Sequence, residues 1–294
     1  MKVLSHQVIT FDYKLIDSGH GRKLERLGPN YVVIRPSSQA IWPPRLPKTE
    51  WEMADAEFSH ASGKSYSGQW VYRRKPPTEV WAIRFGDLTF KLNLTGFGHI
   101  GLFPEQAENW GWLDETVQCF HNLNVLNIFG YTGASTLISA LRGAKVTHVD
   151  ASKPTVTWAR ENQKLSGLQD HLIRWIVDDA TKFLKREQRR GNRFNAVVMD
   201  PPSFGRGPKG EVWKIETHFT ELLQLCREVL ASEKAFFLLT THSPGFSALS
   251  LENLLRHYLL DNEPGKIESG EMFVRDSSSN IYLPNGFYSR WTIK

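Results

Sequence analysis

The sequence predicts an α/β protein: a mostly parallel sheet covered by helices, closed by an antiparallel C-terminal hairpin and preceded by a small β-rich domain. Three observations carry that expectation. After about residue 105, strand-like apolar runs alternate with helix-like segments, the pattern of right-handed crossovers in a parallel sheet. From residue 11 to about 98 the chain instead shows short apolar stretches broken by Gly, Pro and Ser, which marks short strands joined by turns. The tail returns to two strand-like runs, Lys266 to Val274 and Phe287 to Ile293, joined through Asp276 to Gly286, as an antiparallel edge requires. The expected organisation is a module over residues 1–98 and a larger domain over residues 99–294.

In chain order, Tyr13 to Ile16, Tyr31 to Ile34, Gln69 to Tyr72, Val80 to Phe85 and Thr89 to Leu94 are rich in aromatic and β-branched residues and read as strands. Turns fall at Asp17-Ser18-Gly19, Gly28-Pro29-Asn30 and Gly86-Asp87. Arg35 to Lys48 carries Pro36, Pro43, Pro44 and Pro47 and reads as an extended surface loop. The alternation then runs Val125 to Phe129 (strand), Ser135 to Arg142 (helix), Lys145 to Asp150 (strand) and Pro154 to Leu165 (helix). It continues with Ile173 to Val177 (strand), Thr181 to Arg190 (helix), Ala196 to Asp200 (strand), Thr217 to Leu230 (helix) and Ala235 to Thr241 (strand).

Composition narrows the function classes. The chain has 294 residues, 40% hydrophobic and 23% charged, enough to bury a core in each domain. No apolar run reaches the roughly 18 residues of a membrane span, so no membrane partner is expected. Met1 to Asp12 shows no basic segment leading into an apolar core, so no secretory signal is expected. Two cysteines, Cys119 and Cys226, cannot form a disulfide framework, and the ten histidines lack ligand spacing; no metal is expected, and the cytoplasm is the expected compartment. The net charge of +5 suits a polyanionic partner. Basic residues cluster at Arg73-Arg74-Lys75 and at Lys182, Lys185, Arg186, Arg189, Arg190 and Arg193, which fits a nucleic-acid contact or a solvated helix face equally well. Most of the ten tryptophans, Trp42, Trp51, Trp70 and Trp81 among them, are expected to pack in cores.

The chemistry concentrates at strand ends. Asn127-Ile128-Phe129-Gly130-Tyr131-Thr132-Gly133 turns the first strand of the larger domain into a helix; its glycines allow close backbone approach and the helix offers free amides. Asp150-Ala151-Ser152 ends the second strand, placing a carboxylate where a ribose diol can be held. Asp178-Asp179-Ala180 ends the third and Asp200-Pro201-Pro202-Ser203-Phe204 the fourth. The Gly-x-x-Gly spacing lacks the full dinucleotide fingerprint, which counts against NAD. At the last turn two prolines remove amide donors and are expected to leave carbonyls facing outward, suited to a flat polar group such as a nucleobase. Four successive strands therefore finish in a glycine turn or a carboxylate on one sheet edge, although any single acid there is commonly a helix N-cap.

On these residues the chain resembles the class I S-adenosylmethionine-dependent methyltransferases, with their Rossmann-like domain, and within them the ribosomal RNA large-subunit methyltransferase group. The resemblance also includes Ala159-Arg160-Glu161-Asn162 with Gly167-Leu168, and Gly101-Leu102-Phe103-Pro104-Glu105-Gln106, similar to a segment preceding that group's catalytic domain. It implies S-adenosylmethionine as cofactor and RNA, ribosomal RNA first, as partner. It implies that Phe129, Gly130 and Gly133 line the methionine end, with Asn127, Tyr131, Thr132 and Phe103 among the cofactor contacts. Asp150, Ala151 and Ser152 would hold the ribose side, and Asp179 or Asp178, with Ala180, the adenine. Asp200 would lie between cofactor and target base, with Pro201 and Pro202 shaping the turn and Phe204 stacking on the base.

One departure shapes the expected chemistry. Group members that methylate a base carbon use a cysteine after the strand matching Ala235 to Thr241, and Ser243 stands there in this chain. A serine hydroxyl is a far weaker nucleophile, and its neighbour His242 should point to the opposite face. The expected acceptor is therefore a nitrogen, aligned by Asp200 and the Pro201 carbonyl. Gly205 to Gly210, with Arg206 and Lys209, reads as a flap over a phosphate-bearing substrate or as a plain surface loop. A protein or small-molecule acceptor, a non-catalytic RNA-binding factor and a dinucleotide oxidoreductase are the alternatives.

Overall fold

The computed structural model describes residues 10–60, 67–77, 81–260, 264–277 and 279–293; Val80, the first residue of one expected strand, lies outside them. The chain divides into two compact units, Met1–Ala107 with Phe273–Asn285, and Glu108–Met272 with Gly286–Lys294.

The first unit holds β1 (Tyr13–Gly19), β2 (Arg22–Leu27), β3 (Tyr31–Pro36), α1 (Lys48–Glu52), β4 (Ala56–His60), β5 (Gly68–Tyr72), β6 (Ala82–Phe85) and β7 (Leu88–Lys91). The first five strands form one sheet in sequence order, and β6 and β7 pair as a separate hairpin. β2 lies outside the strands expected from sequence because its Arg-Lys-Leu-Glu-Arg-Leu run carries too much charge to read as one. Partners distant in sequence make it possible. Glu25 is fully buried, yet Arg35 donates to it from Nε at 2.6 Å and Nη2 at 2.8 Å, Tyr13 donates at 2.7 Å, and Lys23 Nζ lies 3.1 Å away. A carboxylate so paired can be buried, whereas a lone one could not. Asp17 does similar work for the proline-rich stretch: it accepts from the Leu46 amide at 2.9 Å and from Trp51 Nε1 at 3.1 Å. Arg35–Lys48 is accordingly not a free loop: its first residues lie in β3, its last starts α1, and Ala40 between them is buried.

The second unit is built on α2 (Ala107–Gln118), β8 (Asn124–Ile128), α3 (Ala134–Leu141), β9 (Lys145–Asp150), α4 (Lys153–Leu165), β10 (Ile173–Val177), α5 (Ala180–Arg189) and β11 (Ala196–Met199). β12 (Phe204–Arg206), β13 (Val212–Lys214), α6 (Ile215–Val229), β14 (Phe236–Thr241), α7 (Ala248–Leu255), β15 (Lys266–Arg275) and β16 (Tyr282–Thr292) follow, the adjoining ends of β15 and β16 within Phe273–Asn285 belonging to the first unit. The sheet order is β10-β9-β8-β11-β14-β16-β15. β10, β9, β8, β11 and β14 run parallel, and β16 lies antiparallel to β14. This is the α/β class and antiparallel C-terminal closure that the sequence predicts.

The core joins strand residues such as Leu126, Val197, Met199 and Phe237 to Phe183 and Leu184 of α5, Phe219, Leu222 and Cys226 of α6, and Leu251 and Leu255 of α7. Each such side chain stabilises the fold by about 1.5–3 kcal/mol on burial. The parallel order brings the C-terminal ends of β10, β9, β8, β11 and β14 into one contiguous row. Gly205–Gly210 spans the end of β12 and the turn into β13, which pair antiparallel, Phe204 with Lys214 and Arg206 with Val212.

Candidate active site

The row of strand ends carries Asp178, Asp150, Phe129, Asp200 and His242 in spatial order. At its centre the chain makes a strained turn. Phe129 and Tyr131 have positive φ of 56° and 50°, and Gly133 has φ 89°. Non-glycine residues enter this region at a cost, so the surroundings must hold the turn in place. They do. The Gly130 amide donates to the Val149 carbonyl at 3.1 Å and the Gly133 amide to the Gly130 carbonyl at 3.0 Å. Asn162 of α4, fully buried, donates from Nδ2 to the Thr132 carbonyl at 2.9 Å. Asp150 accepts from the Tyr131 amide and from the Ser152 amide, each at 2.9 Å. Burial pushes its carboxyl above the usual value even against those two amides.

Both glycines form a cradle that a side chain would fill. A Cβ on Gly130 would lie 2.4 Å from Cε1 of His148, and one on Gly133 3.1 Å from the Cβ of Ala159. His148 is fully buried, with its ring 4.7 Å from that of Trp175. Thr136 Oγ1 lies 2.9 Å from His148 Nδ1 and accepts from Asn127 Nδ2 at 2.8 Å. Burial holds the imidazole down at about 3, so it is neutral at physiological pH. Asn127 thus supports the turn from beneath. A turn open to close approach, a helix N-terminus and a carboxylate on the adjacent strand together fit a nucleoside-bearing cofactor.

The other predicted residues have local duties. Asp179 caps α5 by accepting from the Lys182 amide at 2.9 Å, and Ala180 starts the helix. Asp178 accepts from the Asp179 amide at 2.9 Å and pairs with Arg186. Ser152 caps α4 after the half-buried Ala151. Phe103 belongs to the first unit, where its ring packs 5.3 Å from that of His99.

At the end of β11, Asp200 Oδ2 lies 3.4 Å from His242 Nδ1, with both side chains about a quarter exposed. The sequence placed His242 beside Ser243 without identifying this contact; the adjacency of β11 and β14 creates it. Ser243 is buried and accepts from the Ser203 hydroxyl at 2.9 Å, so the two neighbours face different partners, as alternation dictates. Pro201 is buried, with its carbonyl 3.5 Å from Thr241 Oγ1. The expectation of outward carbonyls fails at Pro202, whose oxygen accepts from Trp213 Nε1 at 2.6 Å. Phe204 is 49% exposed. Cys226 is buried, which pushes its thiol far above the usual range, and Cys119 is exposed.

The basic clusters are largely occupied. Lys182 pairs with Glu211, Lys185 with Glu221 at 2.6 Å, Arg186 with Asp178, and Arg190 with Glu187 at 3.0 Å. Arg74 pairs with Asp55 at 2.6 Å, and Arg73 donates to the Ala54 carbonyl at 2.9 Å. Among the described residues no group of three or more His, Cys, Asp or Glu is placed to hold a metal ion, and no helix is long and apolar enough to cross a membrane.

Comparison with known proteins adds to this geometry. Residues 59–240 match a family model described as S-adenosylmethionine-dependent methyltransferase. A crystal structure of a SAM-dependent methyltransferase from Agrobacterium tumefaciens is similar, with TM-score 0.90 and 41% identity over 96% of this chain and 91% of that one. The ribosomal RNA large subunit methyltransferase K of Neisseria meningitidis serogroup B is 29% identical over 203 residues, 68% of this chain and 51% of that protein. The K/L enzyme of Shewanella frigidimarina is 32% identical over 136 residues, 46% of this chain and 18% of that protein. This chain therefore spans about half, or less, of the length of these curated relatives.

Proposed function

The chain belongs to the S-adenosylmethionine-dependent methyltransferase family, and on that premise we propose that it methylates a nitrogen of a base in RNA, ribosomal RNA first, in the cytoplasm. S-adenosylmethionine supplies an electrophilic methyl group on a sulfonium. In this reading the turn at Phe129, Gly130, Tyr131, Thr132 and Gly133, supported by Asn127, receives the methionine end. Asp150 with Ala151 and Ser152 takes the ribose, and Asp178, Asp179 and Ala180 border the adenine.

The observation that carries the acceptor reading is the Asp200–Phe204 turn. Asp200 presents a partly exposed carboxylate at the strand end next to the cofactor turn. It accepts an N–H of the target and so aims the nitrogen lone pair along the line of displacement. Alignment of this kind does most of the work when the leaving group is already activated. His242, 3.4 Å from Asp200, holds the carboxylate in place and can take up the proton that the nitrogen sheds after transfer. Pro201 and Pro202 stiffen the turn, and Phe204, exposed beyond it, offers an aromatic face to a base swung out of its stack. The names of the Neisseria and Shewanella relatives support RNA as the acceptor class.

One observation favours a second reading. The occupied basic clusters leave less free cationic surface than the sequence suggests, which suits a protein or small-molecule acceptor. Incubation of the protein with labelled methyl donor and separate pools of ribosomal RNA, transfer RNA and protein extract decides between them. Label in ribosomal RNA supports the proposal; label in protein alone overturns it.

A further inference from the structure

We propose that Trp213 is a positioning residue that ties the cofactor turn to the acceptor turn, so that the Pro202 carbonyl, and with it the Asp200–Phe204 segment, is set by the state of the Phe129–Gly133 turn. Trp213 lies on β13, outside the motifs that carry the family resemblance, and only 5% of its surface is exposed. Its two ends meet two different parts of the site. The indole N–H donates to the Pro202 carbonyl at 2.6 Å, and the ring packs 5.1 Å from that of Phe129 at an interplanar angle of 53°. Phe129 is held at positive φ, so a small change in that turn moves its ring, and the ring bears directly on the indole.

The hairpin that presents Trp213 is itself fastened. The Ile215 amide donates to the Ser203 carbonyl at 3.0 Å, closing the base. At the tip the Gly207 amide donates to the Glu211 carbonyl at 2.8 Å and the Lys209 amide to Glu211 Oε2 at 2.8 Å. The Glu211 carboxylate also pairs with Lys182 on α5, one turn into the helix that Asp179 caps. The carboxylate sits where a Gly207 Cβ would be, 2.3 Å from its position. A proline carbonyl offered an indole donor in a packed setting has one orientation, whereas the same carbonyl in a free turn would have several. Trp213 therefore acts through Pro202 and not on the substrate. Its indole nitrogen has one partner, the Pro202 carbonyl, so the hydrogen bond can be removed by a smaller aromatic ring, at the cost of a cavity in the core.

The inference rests on assigning the Gly130 turn to the cofactor, and its first test needs no acceptor. Amide hydrogen exchange is measured on the wild-type protein with and without saturating S-adenosylhomocysteine. Slowing of at least about threefold across residues 204–214 is expected, because ordering the Phe129 turn propagates to the hairpin. Unchanged exchange there, with binding confirmed by calorimetry, overturns the inference and leaves the acceptor proposal standing. The second test uses Trp213→Phe, which keeps an aromatic ring at the position, removes the N–H and leaves a cavity whose stability cost is read separately from the melting temperature. With any acceptor that the wild type methylates, kcat should fall about tenfold with KM for that acceptor and the S-adenosylhomocysteine affinity each held within about threefold. A variant with lower melting temperature but wild-type kcat contradicts the inference, since a purely structural role predicts that result. If the variant does not fold, the wild-type exchange experiment decides alone.

Discussion

The contact between Gly130 and His148 makes a sharp prediction about the central turn. In Gly130→Ala the new Cβ falls 2.4 Å from Cε1 and 2.5 Å from Nδ1 of the imidazole, closer than side-chain carbons approach in folded proteins. The ring cannot retreat easily, because Thr136 sits 2.9 Å from Nδ1 and Trp175 packs on its face. Gly130 does not have positive φ, so the cost is steric and not conformational. Overpacking of this type costs about 1–3 kcal/mol. In a His148→Ala background the obstacle is gone, and Gly130→Ala should cost less than about 0.5 kcal/mol. The coupling in the double-mutant cycle is then about 1–3 kcal/mol, measured by denaturant unfolding of the four proteins. Because burial keeps His148 neutral, the coupling should not change between pH 5 and 8. S-adenosylhomocysteine affinity, weakened in Gly130→Ala, should return partly in the double variant, because the turn relaxes. Additive penalties, with no coupling beyond about 0.3 kcal/mol, would refute the account of the turn as braced by His148.

Other consequences are separable. Glu25 is held at about 2, against desolvation by burial, through Arg35, Lys23 and Tyr13. A depressed carboxylate contributes stability above its ordinary value of 4.5, lost as pH falls from there towards 2; roughly 3 kcal/mol is at stake, and acid unfolding of Glu25→Gln should have a shallower limb than that of the wild type. Phe204→Ala should leave the melting temperature within about 2 °C, since the ring is half exposed, and lower RNA methylation by about five- to 150-fold if base stacking is worth ~1–3 kcal/mol. Asp150→Asn should weaken cofactor binding by at least about tenfold by calorimetry, because an amide cannot accept from both the Tyr131 and Ser152 amides. Cys119→Ala should methylate at the wild-type rate, since the exposed thiol takes no part in the reaction; a loss of activity would restore cysteine-adduct chemistry.

The catalytic unit is legible in the sequence where local pattern suffices. The strand-helix alternation and the acids ending β9, β10 and β11 are encoded within a few residues each, so Asp150, Asp178, Asp179 and Asp200 can be placed before any coordinates. Features that depend on distant partners are not legible in this way. β2 reads as polar surface until Arg35 and Tyr13 are seen to neutralise Glu25. The β12–β13 hairpin is hidden in a Gly, Pro and Lys segment whose pairing depends on Trp213 reaching Pro202 and Glu211 reaching Lys182. α2 is obscured by Gly111 and by polar residues among its buried tryptophans. His148 reads as an ordinary strand residue, and only the close approach of Gly130 gives it a task. The basic run on α5 misleads in the opposite sense, because its charges look free in sequence and are mostly paired in the fold.

Alignment of a base nitrogen by the Asp200–Phe204 turn leaves a signature in the methylated product. It is tested most directly by nucleoside mass spectrometry of RNA methylated with a deuterated donor, comparing the wild type with Asp200→Ala. The expected result is label on a base nitrogen with the wild type, and loss of at least about a hundredfold in Asp200→Ala while S-adenosylhomocysteine still binds. Label on a base carbon, or undiminished transfer by Asp200→Ala, would contradict it.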